Sequence, residues 1–302
     1  MGMTRVVAIV GPTAAGKSAL SLRLADALGG EVVNADSMQL YRGMDIGTAK
    51  LTAAERAGVP HHVLDIWDVT EPASVAVYQR LARAAIDDIA ARGRVPLLVG
   101  GSGLYIRAVL EDFEFPGTDP ELRAELEREL EEAGPAPLHA RLQAADPVAA
   151  ARILPSNGRR IVRALEVNAL TGTTFTAQLP QPRPVYDALQ LGVDVDTAVL
   201  DARIDARVEQ MWAAGFVDEV RGLLGRGLRD GRTAGGALGY RQIMNLLDGL
   251  CTADEARAET ARATRRFVRR QRSWFRRDER IAWLDGAAAD ITAAALGVVR
   301  QD

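Results

Sequence analysis

With one cysteine in 302 residues, Cys251, the chain has no internal partner for a disulfide framework and no cysteine cluster for a metal site. No apolar run approaches the roughly 20 residues that cross a bilayer. The first apolar segment begins at Val6, too early to follow a signal sequence, so a cytoplasmic protein with no membrane attachment is expected. Internal repeats and low-complexity tracts are missing too, which sets solenoid architectures aside. What remains is an ordinary globular composition, 48% hydrophobic and 25% charged, long enough for a full core and a second, smaller lobe. The formal net charge of -3 argues against a protein coated in positive charge.

The most informative stretch follows the apolar run Val6-Val7-Ala8-Ile9-Val10. Gly11-Pro12-Thr13-Ala14-Ala15-Gly16-Lys17-Ser18 fits the phosphate-binding loop pattern of two glycines, a lysine and a hydroxyl. Such a loop turns backbone N–H groups inward around an anion, while Lys17 adds a positive charge and Ser18 opens a helix and offers its hydroxyl to Mg²⁺. The loop reads phosphates only, so nucleotides and other diphosphate esters are equally open.

Strand and helix alternate from the start: strand Arg5–Val10, helix Lys17–Leu28, strand Glu31–Ala35, helix Ala76–Ala91, strand Val95–Val99 and a helix from Leu104. That is the pattern of a parallel sheet with crossover helices. Ligands of such sheets sit outside the carboxyl ends of the strands, where the phosphate loop, Asp36 and Gly100-Gly101-Ser102 converge. After Phe115-Pro116-Gly117 the pattern turns helical, up to the proline-rich stretch Leu179 to Pro184. A β-like run, Ala188 to Val195, returns the chain to the sheet, and the remainder reads as helical to Leu284. The expected fold is therefore α/β, a P-loop NTPase-like parallel sheet core with an inserted all-helical lobe and a helical C-terminal region. Its parts are a first core segment at 1–116, the inserted lobe at 117–184, and core completion with arginine-rich helices at 185–302. A monomer is expected.

Four further features carry or decline chemistry. Asp36, just past a buried strand, can hold Mg²⁺ through water, accept a proton from an attacking group, or merely cap a turn. Tandem His61-His62 point in different directions, which suits packing in a turn better than metal ligation, and His139 stands alone. The acidic helix Glu121 to Glu132, with Leu122, Leu126 and Leu130 on one stripe, reads as a solvated face. Between Arg262 and Arg277 there are eight arginines and no acid. As a helix this segment sets Arg265, Arg269, Arg272 and Arg276 along one face, which suits a phosphate backbone, with Phe267, Val268, Trp274 and Phe275 expected to anchor the other side. The alternative is a solvated helix pairing with acids from elsewhere in the chain.

The phosphate loop, the block Asp36-Ser37-x-x-x-Tyr41-x-Gly43-Met44-Asp45-Ile46-Gly47-Thr48-Ala49-Lys50 and Pro60-His61-His62-x-x-Asp65 together resemble the bacterial tRNA dimethylallyltransferase family. So do Leu98-Val99-Gly100-Gly101-Ser102-Gly103-Leu104-Tyr105, Arg160-x-x-Arg163-Ala164-Leu165-Glu166 and Gly239-Tyr240-Arg241-Gln242, in order over nearly the whole chain. Ser18 and Ser102 stand where threonine is common in the family, and both keep the hydroxyl.

The resemblance implies transfer of a dimethylallyl group from dimethylallyl diphosphate to the exocyclic N6 amine of the adenine 3′ of the anticodon in tRNA, with Mg²⁺ as cofactor. It implies Asp36 as the group accepting the amine proton, with Thr13 and Arg203 near the reacting centre. The diphosphate would lie on Gly11, Thr13, Ala14, Ala15, Gly16, Lys17, Ser18 and Arg203. Arg207, one helical turn on, is scarcely separable from Arg203 by sequence, and exposed salt bridging is the alternative for either. The tRNA anticodon loop would meet Asp36, Ser37, Met38, Gln39, Ser102, Arg160, Arg163, Gly239, Tyr240, Arg241, Arg265, Arg269 and Arg272.

Two other functions fit the loop alone. A small-molecule kinase would use the same phosphate loop and a following Asp, though Val95–Val99 ends in Gly-Gly-Ser rather than a metal-holding Asp. A nucleotide-gated RNA-binding protein without chemistry would leave Asp36 without a role.

Overall fold

A computed structural model of the chain describes residues 3–175 and 183–301. In chain order its elements are β1 (Arg5–Val10), α1 (Lys17–Leu28), β2 (Gly30–Asn34), β3 (His61–His62), α2 (Val75–Ala91), β4 (Val95–Gly100) and α3 (Gly103–Leu110). Then come α4 (Pro120–Ala133), α5 (Pro135–Ala145), α6 (Pro147–Arg152) and α7 (Gly158–Thr171). The chain continues with β5 (Asp187–Asp194), α8 (Thr197–Ala213), α9 (Phe216–Leu224), α10 (Tyr240–Leu247), α11 (Ala253–Phe275), β6 (Ile281–Asp285) and α12 (Ile291–Gln301).

The six strands form one parallel sheet in the order β3-β2-β4-β1-β5-β6. β1 and β4 are near-continuous apolar runs, and all five residues of β2 are buried, because a parallel sheet is covered on both faces. Leu20 and Leu24 of α1 with Ile291 and Ala295 of α12 close one face. Tyr78 and Ile86 of α2, Ile106 and Val109 of α3, and Phe216 and Tyr240 close the other. Sequence-local caps set the helix ends: Ser74 Oγ accepts Val77 N–H at the start of α2, and Thr252 and Glu255 form a capping box on α11.

The expectation that the chain stays helical to Leu284 is corrected. α11 stops at Phe275, a turn closes with Ile281 N–H on the Asp278 carbonyl, and β6 pairs with β5 as an edge strand. Five residues with an exposed tryptophan carry too little apolar pattern to be read as a strand after so long a helix. The two-residue β3 is likewise below what periodicity can reveal. Of the proline-rich stretch Leu179 to Pro184, residues 179–182 lie outside the described residues, and Pro184 bridges Glu111.

The chain divides into two compact units, one of residues 1–112 and 184–302, the other of 113–183. The second holds α4 to α7 around Leu126, Leu138, Leu142, Ile153 and Ile161. In it the buried Glu166 carboxylate gathers the Thr118 hydroxyl, Arg163 at 2.6 Å and Arg123 at 3.5 Å. His139 places Nε2 3.2 Å from the carbonyls of Ala150 and Ile153, a packing role.

Candidate active site

The site lies at the carboxyl ends of β1, β2 and β4. Gly11 leaves β1 at φ +137°, and a Cβ there would stand 2.2 Å from the Val193 carbonyl oxygen, so the loop can turn only if no side chain intervenes. Gly16, also in the left-handed region, opens α1 with Lys17 and Ser18 in its first turn. Thr13, Ala14, Gly16, Lys17 and Ser18 from this loop line a cavity of about 280 Å³ with Asp36, Gln39, Thr48, Ala49 and Arg207.

Electrostatics single out three of these groups. Lys17 lies deep in the cleft with Nζ donating to the Pro12 carbonyl at 2.7 Å. Burial pushes its pKa down to about 8, against the attraction of Asp36 and together with repulsion from Arg207. Burial raises the Asp36 carboxyl above its ordinary value, opposed chiefly by the Met38 backbone N–H, which donates to Oδ1 at 2.9 Å, and by Lys17. Arg207 is held below its usual range by burial alone. Two cations and one carboxylate thus share one half-buried pocket, an arrangement whose charges suit a polyanion.

Asp36 is held by its neighbours. Asn34 Oδ1 accepts the Asp36 N–H at 3.0 Å, and Asn34 Nδ2 donates to the carbonyls of Asp36 and Val63. The Tyr78 hydroxyl donates to the Asn34 carbonyl at 2.9 Å. Ser102 Oγ accepts the Ser37 N–H at 3.2 Å and lies 3.2 Å from Ser37 Oγ, joining the ends of β2 and β4. Gln271 of α11, buried and not singled out from sequence, accepts the Thr13 N–H at 3.0 Å and donates to the Gly101 carbonyl at 2.9 Å.

The two candidate diphosphate arginines sit differently. Arg207 lines the cavity, whereas Arg203 directs NH1 at the carbonyls of Ala14 and Ala15 at 3.4 Å. His61 borders the cavity with Nδ1 2.9 Å from the Val59 carbonyl, and His62 pairs with Glu31. No cluster of three metal-ligating His, Cys, Asp or Glu occurs among the described residues.

The residues expected at the tRNA face are not all on the surface. Tyr240 is fully buried and donates its hydroxyl to Glu219 at 2.7 Å; Gly239 is buried beside it, while Arg241 is exposed. The missed signal was its aromatic setting: Phe216 packs edge-on at 4.9 Å. Arg163 spends its guanidinium on Glu166 and the carbonyls of Pro116 and Gly117; Arg160 lies exposed on α7. Arg272 clamps Asp194 at 2.9 Å, Thr197 and the Val195 carbonyl, and its side chain is only 16% exposed. Acids absent from the local sequence therefore come from elsewhere: Asp205 faces Arg265, and Asp201 lies 3.6 Å from Arg269, whose side chain is 61% exposed. Val268 and Phe275 anchor α11 as expected, but Trp274 is 38% exposed. No described helix is long and apolar enough to cross a membrane.

A phosphate loop on a central strand of a six-stranded parallel sheet, with a carboxylate at the end of β2 facing its lysine, defines a P-loop NTPase-like α/β protein. Residues 39–278 match the family model described as IPP transferase, and the chain belongs to that family. It is 73% identical over 295 residues to the tRNA dimethylallyltransferase of Salinispora arenicola, covering 98% of this chain and 86% of the relative. The enzyme of the same name from Thermobifida fusca is 61% identical over 302 residues, with 98% and 95% covered. The crystal structure of the tRNA isopentenylpyrophosphate transferase of Bacillus halodurans superposes with a TM-score of 0.72 at 42% identity, covering 98% of this chain and 97% of that one. A eukaryotic dimethylallyltransferase acting on tRNA gives 0.84 at 27% identity, over 98% and 78%.

Proposed function

We propose that this chain transfers the dimethylallyl group of dimethylallyl diphosphate to the exocyclic N6 amine of the adenine 3′ of the anticodon in tRNA, releasing diphosphate. The observation that carries this reading is Asp36: a deep carboxylate at the end of β2, shaped by Asn34 and Met38, in the same cavity as Lys17 and Arg207. The relatives' names supply the substrates, and the cavity's chemistry supports them.

An adenine amine is a weak nucleophile because its lone pair is delocalised into the ring. As the bond from N6 to the allyl carbon forms and the bond from that carbon to diphosphate oxygen breaks, the N6 proton passes to Asp36. A carboxyl raised by burial is a stronger base than an exposed one, and this favours that step. The charge growing on the leaving diphosphate is met by Lys17, Arg207 and the loop amides, donors fixed before the reaction begins. Arg203, braced on the loop carbonyls, supports the loop from behind and lies one turn from Arg207.

Oxygen donors suit Mg²⁺, which keeps several waters and takes few protein ligands when it travels with a phosphate. The Ser18 hydroxyl in the cavity, with Asp36 across from it, fits that demand. When bound there, the ion would neutralise part of the diphosphate charge.

Binding of the tRNA backbone falls in this reading to the exposed arginines of α11, Arg262, Arg266 and Arg269, since Arg272, and Arg276 just past the helix, are committed to Asp194. Incubation with unmodified tRNA, Mg²⁺ and dimethylallyl diphosphate, followed by nucleoside mass analysis, tests the proposal. A gain of one dimethylallyl group on the adenine beside the anticodon is expected, and recovery of unmodified nucleosides alone would overturn it.

A further inference from the structure

Glu219, in the first turn of α9, makes an arrangement that no sequence motif announces. Its Oε2 accepts the backbone N–H groups of Asp45 at 3.0 Å and Ile46 at 2.7 Å. Its Oε1 accepts the Gly47 N–H at 3.1 Å and the Tyr240 hydroxyl at 2.7 Å. Four donors converge on one carboxylate, three of them consecutive amides of a single loop.

That loop leads directly into the substrate cavity. Thr48, Ala49 and Leu51 line it, and Gln39, another lining residue, donates from Nε2 to the Thr48 carbonyl at 3.1 Å. The loop has no regular secondary structure to hold it. Ala49 sits at φ +51°, a conformation that alanine adopts only under constraint. Its far end is tied by Lys50, whose Nζ reaches the Tyr41 carbonyl, Asp45 and Asp65. Its near end presses on the aromatic core, where a Cβ on Gly47 would fall 2.2 Å from the Phe216 ring.

We propose that Glu219 is a positioning residue that, through the amides of Asp45, Ile46 and Gly47, sets the 48–51 wall against the hydrocarbon end of the substrate. The phosphate end is served by the loop at Lys17 and Ser18 with Arg207, whereas this wall contributes the apolar residues Ala49 and Leu51 to the lining. The inference rests on the reading that the cavity holds dimethylallyl diphosphate.

Replacement by glutamine is informative because an amide has one accepting oxygen. Oriented to accept Asp45 and Ile46, it turns its NH₂ toward the Tyr240 hydroxyl, which can accept, and toward Gly47 N–H, which cannot. Glu219→Gln therefore unpairs the amide nearest the wall, and Glu219→Asp withdraws the whole carboxylate by one methylene.

The test is equilibrium binding of dimethylallyl diphosphate and of inorganic diphosphate to the full chain with Mg²⁺, by calorimetry. Both variants should lose about tenfold in affinity for dimethylallyl diphosphate and stay within about twofold for inorganic diphosphate, one unpaired, half-buried donor being enough for such a loss. Parallel losses for both ligands, no loss for either, or loss of the fold in both variants would overturn the assignment, since Glu219 would then serve the phosphate site, nothing, or the core. Wild-type protein that binds neither ligand would instead sink the functional reading beneath it.

Discussion

The side-chain amide of Gln271 on the arginine-rich helix accepts the backbone N–H of Thr13 in the phosphate loop at 3.0 Å, across 258 positions of sequence. Its other half donates to Gly101 at the end of β4, so one buried residue of α11 ties together two of the loops that form the cavity. Gln271→Leu keeps the volume and leaves both backbone groups without their partner. A loss of about 1–3 kcal/mol in denaturant unfolding is expected, with weaker diphosphate binding beside it. Unchanged stability and affinity would remove Gln271 from the support of the site.

Asp36→Asn keeps the hydrogen-bonding shape and removes the base. Turnover should fall about 10²–10⁴-fold, the usual worth of general-base catalysis, while affinity for dimethylallyl diphosphate changes far less. Titrating both quantities against Mg²⁺ separates two roles: strong rescue of turnover by metal would make Asp36 a metal holder rather than a base.

The depressed pKa of Lys17, about 8 against its ordinary 10.5, has consequences of opposite sign for binding and for stability. The protonated amine attracts diphosphate, so affinity should fall as pH rises through about 8, and Lys17→Ala should abolish that inflection. Between about 8 and 10.5 the unfolded chain holds a proton that the folded chain has released, so this residue's contribution to stability rises with pH there. Calorimetric titrations from pH 6.5 to 9.5 on both proteins check the first, and urea unfolding over the upper range checks the second.

Arg272 and Arg269 share a helix face but should respond differently. Arg272→Ala leaves the nearly buried Asp194 carboxylate with only the exposed Arg276 and the Val195 N–H, and a cost of about 1–3 kcal/mol in unfolding free energy is expected. Neutralising Arg262, Arg266 and Arg269 together should cost little stability and should lower the salt dependence of tRNA binding by about 0.7–0.9 for each phosphate that these arginines no longer neutralise. An unaltered salt slope would return those three to a solvated face paired with Glu259 and Asp201.

Glu31 gives the acid limit. The Arg92 guanidinium first, then the His62 ring, hold its carboxyl down to about 2. Stability from this group is present above the ordinary value near 4.5 and is lost as pH falls toward 2. Glu31→Gln should be less stable at pH 7, and its deficit should shrink as pH drops below 4.5 in unfolding measurements.

Local signals carried much of this protein. The phosphate loop, the strands and helices around it and the position of Asp36 at a strand end were all legible, because each depends on neighbours within a few residues: a glycine that permits a turn, an apolar run, a cap. The resemblance to the tRNA-modifying family was legible for the same reason, as ordered short blocks. Pairings between distant segments were decided only by the fold. Glu219 meets Gly47 across 172 positions, and Gln271 meets Thr13 across still more. Arg272 finds Asp194, and Tyr240 leaves the expected RNA surface for the aromatic core. A side chain's type states which partners it can accept, but a carboxylate or guanidinium satisfies itself with whatever the packing brings within about 3 Å, and that distance exists only in the folded chain.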